Sequence, residues 1–472
     1  METFVNGFFD AFQALIGAGA LVMLPIIITV LGLIFGLNFG KAFKAGITID
    51  IGFAGINLVT QLMKDQLGPA AQAMVENFGV QLDVLDVGWS ALASVAWASP
   101  IVPLIVIEVI AINIIMLAMR MTNTLDVDIW NYHSMLTCGG LVFFVTGNIA
   151  LALIASGLMA IIAFKLADWS QPLVSKFFGI PNVSLPHVPA LSSLIIAAPV
   201  NWLLDRIPGV KNIDLNLKGV KKYLGFFGEP WMLGLILGCI IGALAKYDIS
   251  GIFTLGVYMS TVMVLLPRMT VLFVEGLMPV SSAASKFCKK RFKGREFSIG
   301  LDAAVVVGND SVITLALLMV PITLLLAVIL PGNHMLPFAD LAVITFRVCL
   351  VVALCRGNMF RSLIIACIVM SGILYCGTMA APFMTQFAAS AGLEFDGLIA
   401  STCGPSLALS AALFWSCISN PIVFIPIIVV IFIGVWFFIE KKVGMKRVQA
   451  YAEGKTLEEY KAEQAAQAAS EE

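Results

Sequence analysis

Charge is what this chain has least of: Asp, Glu, Lys and Arg make up 12% of its 472 residues, against 60% hydrophobic ones. With a mean hydropathy of +0.98, there is more apolar surface than a soluble domain buries against itself, so the solvent must be lipid. His is scarce as well, with three in the chain, and the nine Cys follow no metal-ligand spacing. Cys239, Cys349, Cys367 and Cys417 stand inside apolar stretches, where they read as small buried hydrophobes rather than disulfide partners or ligands. No G-x-x-x-x-G-K-[ST] loop and no nucleophile elbow occurs. A self-powered pump and a self-contained enzyme acting on lipid are thereby disfavoured, no cofactor is expected, and energy must come from elsewhere. The first 40 residues lack the basic, apolar and small-residue order of a cleavable signal, so Met1 is expected to begin the mature chain.

What is present is a series of long apolar runs. They last about 17–25 residues instead of alternating over about ten, which predicts an all-α polytopic membrane protein rather than a barrel. Eleven spans are expected, near 20–37, 47–63, 101–119, 128–145, 149–165, 231–246, 251–267, 313–331, 338–355, 362–378 and 421–439. Two stretches, 88–100 and 300–312, are too short or too polar to cross. Each precedes a long span and reads as a re-entrant hairpin, which a membrane tolerates where the broken backbone lines an enclosed cavity.

An internal repeat organises these spans. Gly88, Trp97, Ser99 and Asp128 recur as Gly300, Asn309, Ser311 and Asp340, all at an offset of 212. Five spans and one hairpin in each half make the second half enter the membrane upside down, an inverted 5+5 repeat. Charge agrees with this: Asp65, Glu76, Asp83 and Asp86 precede the first hairpin, whereas Lys286, Lys289, Lys290, Arg291, Lys293 and Arg295 precede the second. By the positive-inside rule the first segment lies outside the cytoplasm and the second within it. The expected divisions are a first repeat over 1–168, a basic cytoplasmic connection over 169–228 and a second repeat over 229–380. An external segment with the last span covers 381–440, and a polar cytoplasmic tail covers 441–472. From 165 to 228 there are seven Lys or Arg against three Asp, enough for a docking surface.

Inverted repeats with paired broken elements are the architecture of alternating-access transporters, whose ligand sits at the repeat interface. A polyol or sugar needs carboxylate acceptors, amides and a flat aromatic face. The hairpins supply these as Asp302, Asn309, Asp310, Trp97 and Ser99, with Gly300 expected to permit a tight turn before Asp302. Either Asp could instead cap a half-helix, yet an ionisable group at membrane depth is a functional hypothesis by default. Asn131 and His133, at the start of the fourth span, add hydroxyl ligands. Trp130 and Tyr132 beside them read as interfacial anchors, and Asp128, recurring as Asp340, reads as structural. Among the remaining His, both His187 and His334 look like solvated loop residues on spacing alone.

Taken together, Met23-Leu24-Pro25-Ile26, Gly52-Phe53-Ala54-Gly55-Ile56, Asp86-Val87-Gly88-Trp89, Val127-Asp128-Ile129-Trp130-Asn131, Phe227-Gly228-Glu229-Pro230, Gly300-Leu301-Asp302 and Arg356-Gly357-Asn358 resemble the galactitol-type enzyme IIC proteins of the bacterial phosphotransferase system. That family, related to the ascorbate-type transporters, implies a homodimer in the inner membrane, with a scaffold domain and a mobile core moving like an elevator. It also implies a polyol or sugar substrate, phosphorylated by a separate IIB protein that receives its phosphoryl group through IIA. In ascorbate-type relatives a His in the segment matching Pro186-His187 contributes to the site, so the resemblance adds His187 to the candidate ligands. The family often reads Pro-His-Gly where this chain has Pro186-His187-Val188, and a His often stands where Ser134 does. An ion-coupled secondary transporter is the competing reading. No nucleic-acid partner is expected.

Overall fold

The computed structural model describes residues 20–78, 82–126, 128–209, 213, 226–227, 229–291, 297–395 and 397–471. Six of its helices are long and apolar enough to cross a membrane, or seven if one bent pair counts as a span. The bent pair is α3 (Trp89–Trp97) and α4 (Val102–Ala118), which meet at 97° over Ser99 and Pro100. Pro103 lies in the first turn of α4, where a missing N–H costs nothing. Four of the eleven expected spans are instead helices of 11 to 15 residues: α1 (Ala20–Ile34), α5 (His133–Thr146), α8 (Pro230–Leu244) and α11 (Ile344–Leu354). Each falls short of the roughly 20 residues that cross a bilayer alone.

Two other helices outrun the expected spans. Helix α2 (Phe39–Phe78) and helix α9 (Ile249–Arg291) continue through the acidic and basic stretches expected as loops. With α1 and α8 they form a four-helix group held by glycine-sized contacts. A Cβ on Gly46 of α2 would stand 2.5 Å from the Pro25 carbonyl oxygen of α1, and one on Gly234 of α8 would stand 2.6 Å from the Ser260 Cα of α9. Between helices in lipid, where no hydrophobic effect drives association, such close approach supplies the packing.

The rest of the chain builds a core whose element order repeats. The strands β1 (Val84–Asp86), β2 (Thr124–Asp126) and β3 (Val183–Ser184) recur as β4 (Ser298–Gly300), β5 (Met335–Leu336) and β6 (Leu398–Ala400). Helices α5, α6 (Ile149–Phe178) and α7 (Val188–Leu204) recur as α11, α12 (Met359–Ser390) and α13 (Ala408–Ser419). Helix α4 recurs as α10 (Asp310–Ile329), while α3 is answered by a single 3₁₀ turn, Ala303–Val305. That unequal arm shifts the register. The first strands correspond at 214, Val84 with Ser298, and the second at 211, Thr124 with Met335, so a gapless offset of 212 matches only the average.

The strands pair across the repeats. Parallel sheet β5-β1-β6 sets the first strand of one repeat between two strands of the other, and parallel sheet β2-β4-β3 does the reverse. Buried backbone in a membrane protein must find partners, and each repeat finds them in its counterpart. Gly300 is required by this pairing: a Cβ there would meet the Asp126 Cα at 2.8 Å. Its place is therefore in a strand, not in a tight turn, whereas Gly88 has φ +89° and does need glycine.

Helix α7 lies within the segment expected to be a cytoplasmic connection, and α13 lies within the expected external segment. Both are apolar, partly buried helices following a strand; α7 is missed because Pro199 and Asn201 interrupt its apolar run, and α13 because 12 residues are too few to register as a span. Lys211, Lys218, Lys221, Lys222, Lys293 and Arg295 of the expected docking surface lie outside the described residues. Helix α14 (Pro421–Phe437) buries none of its residues and is latched beyond its end, where Glu440 accepts from Lys165 at 2.6 Å. The tail forms helices α15 (Met445–Ala452) and α16 (Leu457–Glu471). It docks through Tyr451, whose hydroxyl donates to the Leu354 carbonyl at 2.8 Å and accepts from Asn201 Nδ2 at 2.9 Å.

Candidate functional site

A cavity of about 450 Å³ opens where the two hairpin tips meet. Trp89 and Ser90 begin the first tip, and Leu301, Asp302, Ala304 and Val305 form the second. The 3₁₀ turns Ile129–Tyr132 and Ala339–Val343 close the floor with Trp130 and Asp340, Phe346 of α11 adds an aromatic edge, and Val262 to Met278 of α9 make the far wall.

The two carboxylates that recur across the repeats hold the tips in place. Asp340 Oδ1 accepts from the Trp89 N–H at 2.7 Å, and Asp128 Oδ2 accepts from the Asp302 N–H at 3.1 Å. Each repeat thus caps the hairpin of the other, which is the structural role expected for this pair. Asp302 in turn caps the next turn, its Oδ1 accepting from the Ala304 N–H at 2.7 Å.

The second oxygen of Asp302 faces His187. It lies 3.0 Å from Nδ1 of His187, at ion-pair distance but not aligned as a hydrogen bond. Both ring nitrogens of His187 and Oδ2 of Asp302 are buried without hydrogen-bond partners, as are Oδ2 of Asp126 and Oδ1 of Asn131. A buried polar atom without a hydrogen bond costs about 1–3 kcal/mol, so this part of the core keeps polar capacity that the fold itself does not use. His187 is therefore not a solvated loop residue: it is 1% exposed and precedes α7 as its N-cap.

Aromatic rings surround this polar centre. Trp89 lies 5.4 Å from Trp130 and 5.3 Å from His133, centroid to centroid, and His187 lies 5.6 Å from Phe346 and 6.2 Å from His133. Trp130 and Tyr132 are buried in the core, which corrects their reading as interfacial anchors. His133 is held by the Trp130 carbonyl at 2.8 Å and by Ser134 Oγ at 3.2 Å, and Asn131 Nδ2 donates to Asp126 Oδ1 at 3.3 Å.

Of the expected ligands, Asp302 lines the cavity, while His187, His133 and Asn131 stand behind it. The other four lie elsewhere. Trp97 is fully buried at the far end of α3, and Ser99 crowds Gly140 of α5 together with Phe387 of α12. Asn309 caps α10, accepting from the Ser311 N–H at 3.0 Å, and Asp310 is exposed in its first turn. The hairpin tip is the start of each arm, not its bend, so the reading that ran onward to 97–99 and 309–310 went past the cavity. Trp89, although next to Gly88, gave no periodic signal of its own, and Phe346 gave none.

A profile for the sugar-specific permease component of the phosphotransferase system, EIIC-GAT, matches residues 14–397. The chain belongs to this family. The galactitol-specific EIIC component of Escherichia coli K12 is 40% identical over 395 residues, covering 84% of this chain and 88% of the relative. A putative permease IIC component of the same strain is 38% identical over 386 residues, covering 82% and 88%. Membership and the apolar spans make this a multi-pass inner-membrane protein.

Proposed function

We propose that this permease component binds galactitol or a closely related polyol in the cavity between its hairpin tips, carries it across the membrane and presents it to a separate phosphorylated IIB protein. The observation that carries this reading is the buried His187–Asp302 pair, whose facing atoms take no hydrogen bond from the rest of the fold, beside an aromatic wall, where a polyol would place hydroxyls on the polar atoms and C–H groups against the rings. The galactitol specificity of the Escherichia coli relative at 40% identity favours galactitol.

The transport movement in this reading is an elevator. The core that holds both hairpins moves as a unit against the four-helix group, whose helix α9 supplies only one wall of the cavity. The core is suited to move as one body because its sheets interlock the repeats. A homodimer would give the four-helix groups a fixed base, and the positive-inside assignment places the C-terminus in the cytoplasm.

Vesicles carrying the protein, supplied with phosphoenolpyruvate and the soluble phosphotransferase proteins, test this. Accumulation of phosphorylated polyol is the expected result, and accumulation of unmodified polyol driven by an ion gradient would replace the reading with secondary transport.

A further inference from the structure

Four of the cavity's lining residues are acidic, in walls that are otherwise mostly apolar. Asp128, Asp302 and Asp340 lie in the core walls, Glu275 of α9 stands exposed on the wall opposite, and no Lys, Arg or His is among the described lining residues. Two cationic side chains are held behind the core walls, and Arg268, two turns before Glu275 on α9, is exposed outside the lining. His187 turns Nδ1 to Asp302, and Arg347, next to Phe346 in the chain, is buried with Nη2 on Thr402 Oγ1 at 3.0 Å. Asp128, Asp302 and Asp340 accept backbone N–H groups that hold the fold. Glu275 differs in belonging to the four-helix group, against which the core would move.

We infer that Glu275 is a specificity-determining residue which, with the core carboxylates, makes the cavity accept an uncharged polyol and reject its phosphate ester, so that phosphorylation itself expels the product. This rests on the proposed function. In the transfer, the S–P bond of the phosphocysteine that the family implies for the IIB partner breaks, the sulfur keeps the electron pair, a P–O bond forms to a polyol hydroxyl, and that hydroxyl's proton passes to the released thiolate. A neutral ligand thereby becomes an anion of about −1.5 to −2 at pH 7. Hydroxyls are good donors to carboxylates, so the acids assist binding before transfer. Afterwards the same acids repel the ester, and within a cavity walled by apolar side chains water screens that repulsion weakly. The polyol is thus held until it is modified, and the ester has little affinity with which to travel back.

The test is calorimetric titration of the full-length protein in nanodiscs with galactitol and with its phosphate monoester, in wild type, Glu275→Gln and Glu275→Asp. Each variant is judged by its own ratio of the two dissociation constants, so a general loss of fold or cavity shape cancels. Wild type should favour the polyol by about a hundredfold or more. Glu275→Gln should narrow that ratio by about tenfold, a shift of one carboxylate's worth of repulsion, and Glu275→Asp should restore most of it. An unchanged ratio in Glu275→Gln, or equal binding of both ligands by wild type, overturns the inference while leaving polyol binding intact. If wild type binds neither ligand, the proposed function itself falls, and this inference with it.

Discussion

The two interlocked sheets are built from corresponding strands, yet their polar groups are treated in opposite ways. At the sheet centred on β1, Asp86 ends the strand and its oxygens accept from the N–H groups of Gly88, Phe338 and Asp340, each at 3.0 Å. Asp340 is filled likewise, by Trp89 N–H on one oxygen and by Ser401 Oγ, Thr402 N–H and Thr402 Oγ1 on the other. At the sheet centred on β4 the position of Asp86 is taken by Gly300, and the carboxylate appears two residues later as Asp302, where the first repeat has Gly88. His187, three residues beyond β3, stands where the other repeat has Cys403, three beyond β6. Here one oxygen of Asp302 and both nitrogens of His187 have no hydrogen-bond partner. One sheet therefore uses its carboxylates to hold the repeats together, and the other leaves part of its polar capacity unused by the fold, where we propose the ligand binds. Duplication provided two equivalent frames, and the site is legible as the place where they differ.

That contrast separates stability from binding, and substitutions can break it. The largest loss is expected from Asp86→Ala, which strips three buried N–H groups of their acceptor and should destabilise by about 3 kcal/mol or more. A lowered thermal midpoint in detergent would show it, with affinity little changed in the protein that remains folded. Gly300→Ala forces a Cβ into the Asp126 backbone, and overpacking of this kind costs about 1–3 kcal/mol, again read as a lowered midpoint. His187→Ala belongs to the other side of the comparison. It should weaken polyol binding by about 1–2 kcal/mol, since it removes a donor to the ligand, without lowering the midpoint. Asp310→Asn sharpens the boundary of the site: an exposed residue in the first turn of α10 should alter neither quantity by more than about 0.5 kcal/mol.

Membrane class and the presence of an internal repeat could be read from the residues, because lipid imposes run length and duplication leaves recurring residues, although the strands match Gly88 with Asp302 and Gly300 with Asp86. The short helices could not. α7 and α13 are held by strand pairing and burial within the core, and nothing in a 12- to 17-residue apolar run distinguishes such a helix from a connection or a partial span. Among the candidate site residues, Asp302 was visible as an acid at membrane depth two residues after a glycine. His187 was visible only by family resemblance, since its value lies in a contact with Asp302 across more than a hundred residues of chain. Trp130 was misread because an aromatic at the start of a span looks the same whether it faces the membrane surface or the cavity.

The central claim is that Oδ2 of Asp302, which faces His187, is a ligand group and not a structural one. Titrating galactitol into purified Asp302→Asn tests it most directly, because the change keeps size and the cap on the next turn while removing charge and one acceptor. A loss of about 1–3 kcal/mol, tenfold or more in affinity, with a wild-type thermal midpoint is the predicted result. Wild-type affinity, or an affinity loss that merely follows a collapse in stability, would contradict the account and return Asp302 to the structural class of Asp86.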